Sequence, residues 1–106
     1  LIARGEPLLA PWLIWVELRN ILIVSERRGR LPAGMGDQIA DAVDALQIQL
    51  DSSASSAVVM DLARRHGLTA YDALYLETAL RHGAMLATLD GKLRAAAVAE
   101  AVALAG

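Results

Sequence analysis

Apolar and polar positions along this chain switch between two rhythms, one suited to strands and one to helices. Leu8 to Ala10 is a short apolar run closed by Pro11, which predicts a brief buried strand and a helix from about Trp12. That helix runs to about Arg28 and stops at Gly29. A second helix, about Met35 to Leu46, carries Ile39, Val43 and Leu46 on one stripe. Asp37, Asp41 and Asp44 fall on another stripe, which reads as a solvated face. Gln47 to Leu50 alternates and predicts a strand, with Asp51 and the serines behind it capping the next helix. In that helix Val58, Val59, Leu62 and Ala63 face inward. It ends in Arg65-His66-Gly67, and the following helix, from Thr69, ends in Arg81-His82-Gly83. Both endings place cations at the negative helix end and glycine at the left-handed cap, so both histidines read as capping residues. Met85 to Leu89 predicts a third strand, Asp90 opens a helix through about Ala99, and Val102 to Leu104 a last short strand. Strands alternating with helices predict an α/β fold, a parallel sheet covered on both faces. No repeat, linker or low-complexity tract divides the chain, which reads as a single domain over residues 1–106.

Composition narrows the chemistry. With 56% apolar residues and 21% charged residues the chain is an ordinary globule rather than a disordered segment. Phe is absent, so the core is expected to be close-packed helix against sheet rather than built on large rings. Cysteine is absent too, which removes thiolate metal sites and disulfides and fits a cytoplasmic location. The net charge of −2 gives no general attraction for nucleic acid, so any such binding is local or carried by a metal ion. Charged and polar residues interrupt every apolar run, far short of a membrane span. The chain opens on Leu1 with no signal-peptide pattern.

Three acids fall in the layer beyond the carboxyl ends of the strands, where parallel sheets bind ligands. Asp90 follows the Met85–Leu89 strand, Asp72 lies in the first turn after Thr69, and Glu17 lies early in the first helix. Asp90 before Gly91 also suits an N-cap, and Asp72 three residues after Thr69 a capping box. For Glu17 a bland role is harder to sustain, because Leu13, Trp15, Val16, Leu18 and Ile21 make its helix apolar nearly all round. A carboxylate there requires a cation or donors, and Asn20, three residues on, is placed to orient it. Clustered carboxylates suit Mg2+ or Mn2+, which activate water and steady phosphate charge without a histidine or cysteine nucleophile.

Three segments carry a family resemblance. Val16-Glu17-Leu18-Arg19-Asn20-Ile21-Leu22, Leu68-Thr69-Ala70-Tyr71-Asp72-Ala73-Leu74-Tyr75 and Leu86-Ala87-Thr88-Leu89-Asp90-Gly91-Lys92-Leu93 resemble, in order and spacing, motifs of the PIN domains, the VapC-type toxin ribonucleases in particular. The resemblance implies a Mg2+- or Mn2+-dependent endoribonuclease, a homodimer held inactive by a cognate antitoxin protein. It implies Glu17, Asp72 and Asp90 as metal ligands, with Thr88 and Asn20 in support. Lys92 and Arg94, just past Asp90, are candidates for RNA contact. Arg27, Arg28 and Arg30 are weaker ones, since cations are expected at a helix end. Trp12 and Trp15 read as core or interface anchors.

One element of the family pattern has no match. The family opens with a strand ending in an Asp ligand, and Glu6, followed by Pro7, does not fit it. Such a strand and its crossover helix need about 20 residues ahead of Leu1, so the chain is expected to lack its N-terminal strand and helix. Without that Asp, a PIN-like module that binds a partner but does not cut is an alternative. A phospho-receiver signalling domain is another; it would use Asp51 as phosphoacceptor but gives Glu17 no role.

Overall fold

The computed structural model describes residues 8–88 and 90–105. Glu6, Pro7 and Leu89 lie outside them. Seven elements follow in order: β1 (Leu9–Pro11), α1 (Leu13–Arg27), α2 (Met35–Asp44), β2 (Gln49–Asp51), α3 (Ser56–His66), α4 (Ala70–His82) and α5 (Gly91–Ala99). The class is α/β. β1 and β2 pair in parallel, Ala10 opposite Leu50, and the ladder closes where the Trp12 N–H donates to the Asp51 carbonyl at 2.8 Å.

Two expectations about the sheet require correction. The strand expected over Gln47 to Leu50 starts two residues later, because Gln47 takes a left-handed conformation at φ 54° that no strand residue adopts. α2 accordingly stops at Asp44, and Leu46, on the apolar stripe with Ile39 and Val43, is exposed. The strands expected at Met85 to Leu89 and Val102 to Leu104 shrink to one parallel bridge between Leu86 and Leu104. There Leu86 donates to the Ala103 carbonyl and accepts from the Ala105 N–H, both near 3 Å. Ala101, at φ 58°, turns the chain immediately before this segment and leaves too few residues for a longer ladder.

The core is helix on helix rather than helix on sheet. Leu62 of α3, Ala73, Leu76 and Ala79 of α4, and Leu93, Ala96 and Ala97 of α5 close around Leu86 and Val102. Alanines at these contacts let the helix axes approach without large rings. Val58, expected inward, is 41% exposed, while Leu62 one turn on is fully buried.

Helix ends follow local chemistry. Ser55, not Asp51, caps α3, its hydroxyl accepting from the Val58 N–H at 3.3 Å. Gly67 and Gly83 end α3 and α4 at φ 62° and 60°, the left-handed cap that glycine adopts without strain. α2 has no side-chain cap of its own at Gly34. Instead Glu26, near the end of α1, accepts from the Gly36 N–H at 2.7 Å and places a carboxylate at the positive end of α2. The acidic face of α2 is solvated at Asp37 and Asp41, but Asp44 takes both its bonds from Arg19 of α1 at 2.9 Å.

α4 is the element that positions the rest. Its buried Glu77 accepts from Arg81 Nε at 3.1 and 3.0 Å, and from the Ser55 N–H at 3.0 Å. The same guanidinium donates through Nη1 to Asp51 at the end of β2, at 2.8 Å. His82 Nε2 meets Asp51 at 2.7 Å. This clasp fixes the C-terminal end of α4 against the sheet. Hydrogen bonds from Arg81, outweighing the opposing effect of burial, hold the Asp51 carboxyl well below the usual carboxylate range. The other histidine, His66, meets Glu100 at 2.8 Å beside Arg65.

Candidate metal centre

With α4 held at one end, its middle faces α1. Tyr75 of α4 donates its hydroxyl to Glu17 Oε1 at 2.6 Å, joining residues 58 apart in sequence. Both side chains are half-buried. Burial, then the Glu17 carboxylate and the charge of Asp72, push the Tyr75 phenol far above its usual value. Asp72 lies one helical turn before Tyr75 on the same face of α4. Of the two acids, Glu17 is the one that the Tyr75 hydroxyl meets directly.

Thr69 caps α4, its hydroxyl accepting from the Asp72 N–H at 3.2 Å. The Asp72 side chain sits in that first helical turn, where the helix dipole favours an anion. Asp90 caps α5: its Oδ2 accepts from the Leu93 N–H at 2.9 Å, and its own N–H donates to the Thr88 hydroxyl at 3.1 Å. Thr88 therefore supports the backbone of Asp90. Lys92 Nζ lies 3.4 Å from the Gly67 carbonyl, so the first turn of α5 rests against the turn that precedes α4. Arg94 folds back to the Thr88 carbonyl at 3.1 Å.

The geometry joins Glu17 of α1 to Tyr75 of α4, one helical turn past Asp72, and sets Asp90 at the N-terminus of α5. Among the described residues, no three His, Cys, Asp or Glu side chains form a group able to share a metal. Asp90 is turned back onto its own helix as a cap. Asn20, expected to orient Glu17, is exposed, and the donor that reaches Glu17 is Tyr75. Tyr75 was missed in the sequence because at helical spacing a tyrosine reads as core. Its one legible mark was the three-residue interval from Asp72. Arg27, Arg28 and Arg30 are exposed at the far end of α1. Asp51 is not open as a phosphoacceptor, since Arg81 and His82 occupy its oxygens.

Two carboxylates are hard oxygen donors of the kind Mg2+ and Mn2+ take, one or two at a time, beside water and phosphate oxygens. Glu17 and Asp72 are donors of that chemical class, and they do not form a gathered set of three with a further acid or histidine among the described residues. Comparison with known families matches residues 1–99 to the PIN domain. No curated protein matches the chain.

Proposed function

Because this chain belongs to the PIN domain family, we propose that it is a metal-dependent endoribonuclease and the toxin of a toxin–antitoxin pair. The observation that supports the reading is the hydrogen bond between Glu17 of α1 and Tyr75 of α4, which joins the motif of Glu17 to the motif that also carries Asp72. In this reading Glu17 and Asp72 hold a Mg2+ or Mn2+ ion, and Asp90 is the third carboxylate. A bound divalent ion supplies an activated water and stabilises the charge that builds on the phosphate during in-line displacement. Thr88 holds the backbone of Asp90, and Lys92 and Arg94, beside the same helix N-termini, attract the RNA backbone. The partners are RNA, a cognate antitoxin and a second copy of the chain.

The test is cleavage of single-stranded RNA by the purified protein with Mg2+, Mn2+ or a chelator. Glu17→Gln and Asp72→Asn are expected to lower the rate by more than the roughly 10- to 100-fold that supporting residues cost. Asp90→Asn keeps its cap, since Asn caps about as well as Asp. Its melting temperature without metal should hold while its response to Mn2+ and its cleavage fall. Cleavage by any of the three at the parental rate overturns the assignment. The capped state of Asp90 favours a second reading, a PIN module that binds a partner without cutting, and a parent protein inert in both metals would establish it.

A further inference from the structure

RNA that approaches an acidic protein gets little help from the field of the whole molecule. At a net charge of −2 this chain must hold a strand through local contacts. An exposed aromatic face is one that needs no charge, because any unpaired base can stack on it. The chain has two Trp and two Tyr to offer and no Phe. Trp15 stands roughly opposite Glu17 around α1, and the Arg19 guanidinium covers its ring at 3.8 Å. Trp12, three residues earlier, shares the face of Trp15. Tyr75 is half-buried, with its hydroxyl taken by Glu17. Tyr71 remains, and it is 62% exposed.

Placement separates Tyr71 from a stray surface tyrosine. It is the second residue of α4, next to Asp72 in the chain and one turn before Tyr75 on the same stripe. The bond from Tyr75 to Glu17 turns that stripe toward α1, so Tyr71 stands at the N-terminal, open end of the face that meets Glu17. The helix beneath it is fixed: Ala73 and Leu76 are fully buried, and the Thr69 hydroxyl caps the first turn at 3.2 Å from the Asp72 N–H. Two torsions alone then set the ring. Lys92, exposed, lies with its Nζ 3.4 Å from the carbonyl of Gly67, four residues before Tyr71. A cation for the backbone and a ring for a base thus stand at the same helix start, the combination by which single strands are held.

Resting on the reading of the chain as a ribonuclease, we infer that Tyr71 is a specificity-determining residue, the platform on which one unpaired base of the RNA stacks. It favours single strands, because a duplex keeps its bases stacked on one another and offers the ring nothing.

The test measures binding of a short fluorescein-labelled single-stranded RNA to the whole protein, in EDTA and in Mg2+, over a range of salt. Tyr71→Ala is expected to weaken binding by about tenfold, and Tyr71→Phe to keep it, because the ring and not the hydroxyl makes the contact. The slope of affinity against salt should stay parental in Tyr71→Ala and shrink by about one in Lys92→Ala, which separates a stacked base from a phosphate contact. A fluorescent base analogue walked along the RNA should be quenched at one position by the parent and not by Tyr71→Ala. Parental affinity in Tyr71→Ala overturns the inference, and is the result a ring serving a protein partner gives. Equal losses in Tyr71→Phe and Tyr71→Ala overturn it as well. Should Tyr71→Ala fail to fold, Tyr71→Gln, which stays polar and loses the ring, must lose the same binding or the inference fails. A parent that neither binds nor cuts the RNA in either buffer sinks the ribonuclease reading itself, and the role of Tyr71 goes with it.

Discussion

Asp51 shows how much one side chain can carry. It ends β2, forms a short turn with the Ser53 N–H at 3.1 Å, and takes the guanidinium of Arg81 and the imidazole of His82. Its folded carboxyl is held below the ordinary value near 4, so its contribution to stability is complete above that value and drains away as pH falls through the depressed one. Urea melts from pH 6 down to pH 2 are expected to show the parent losing stability on the acid side. Asp51→Asn should be weaker at pH 6 by on the order of 1–3 kcal/mol and lose less on acidification. Identical acid limbs in parent and variant would mean the clasp is idle. Glu77, 2% exposed, is the partner that makes this arrangement obligatory, for without Arg81 it is a buried charge with only the Ser55 N–H beside it.

Among the elements, the joint between α1 and α2 makes a prediction whose sign depends on a single hydrogen bond. A Cβ on Gly36 would run into the Glu26 carboxylate and come within 3.4 Å of Leu22 Cβ. Alanine in a helix otherwise gains about 0.5–1 kcal/mol over glycine. Gly36→Ala must displace the Glu26 cap, worth about 1 kcal/mol, so a small net loss is expected in the parent. With Glu26→Ala in place the same substitution should turn stabilising. Chemical denaturation of the four proteins reads the reversal, and stabilisation in both backgrounds would show the cap to be weightless.

The same contrast separates what the sequence displays from what only docking creates. The ends at Gly67 and Gly83 and the caps Thr69 and Asp90 depend on a few adjacent residues, so the sequence displays them. Glu26 on Gly36, Arg81 on Asp51 and Tyr75 on Glu17 depend on how helices dock, at separations of 10, 30 and 58 residues. Nothing local announces them. Strands failed for a related reason: alternation over Gln47 to Leu50 is compatible with a strand, and only the left-handed Gln47 shows that the chain is still turning. The acids themselves were legible as motifs, whereas the company each keeps was not.

For the molecule as a whole, the open question is what covers α1. Trp12, Trp15, Val16 and Ile23 share one face of that helix and are each 45–53% exposed. Arg19 lies on the same face, its guanidinium 3.8 Å from the Trp15 ring. A shallow groove beside it, lined by Ile14, Leu18, Val43, Ile48 and Leu50, continues the apolar surface toward β2. A surface of this kind is expected to meet a second copy or an antitoxin segment. Sedimentation equilibrium should give a mass above the 11.3 kDa chain, alone or with the partner, and Trp12→Ser with Ile23→Ser should lower it. A parent that stays monomeric with every partner offered would leave the patch without that role. Among the described residues, no helix is long and apolar enough to cross a membrane.

The bond between Tyr75 and Glu17 also sets a clock. Glu17 leaves the ribosome first, and Asp72 and Tyr75 follow 55 and 58 residues later. At about 5–20 residues per second, that interval lasts roughly 3–12 s. During it Glu17 exists without the phenol that bonds it in the folded chain. The bond forms only when α4 has been made and docked, so a chain broken off early by stalled synthesis carries Glu17 without its partner.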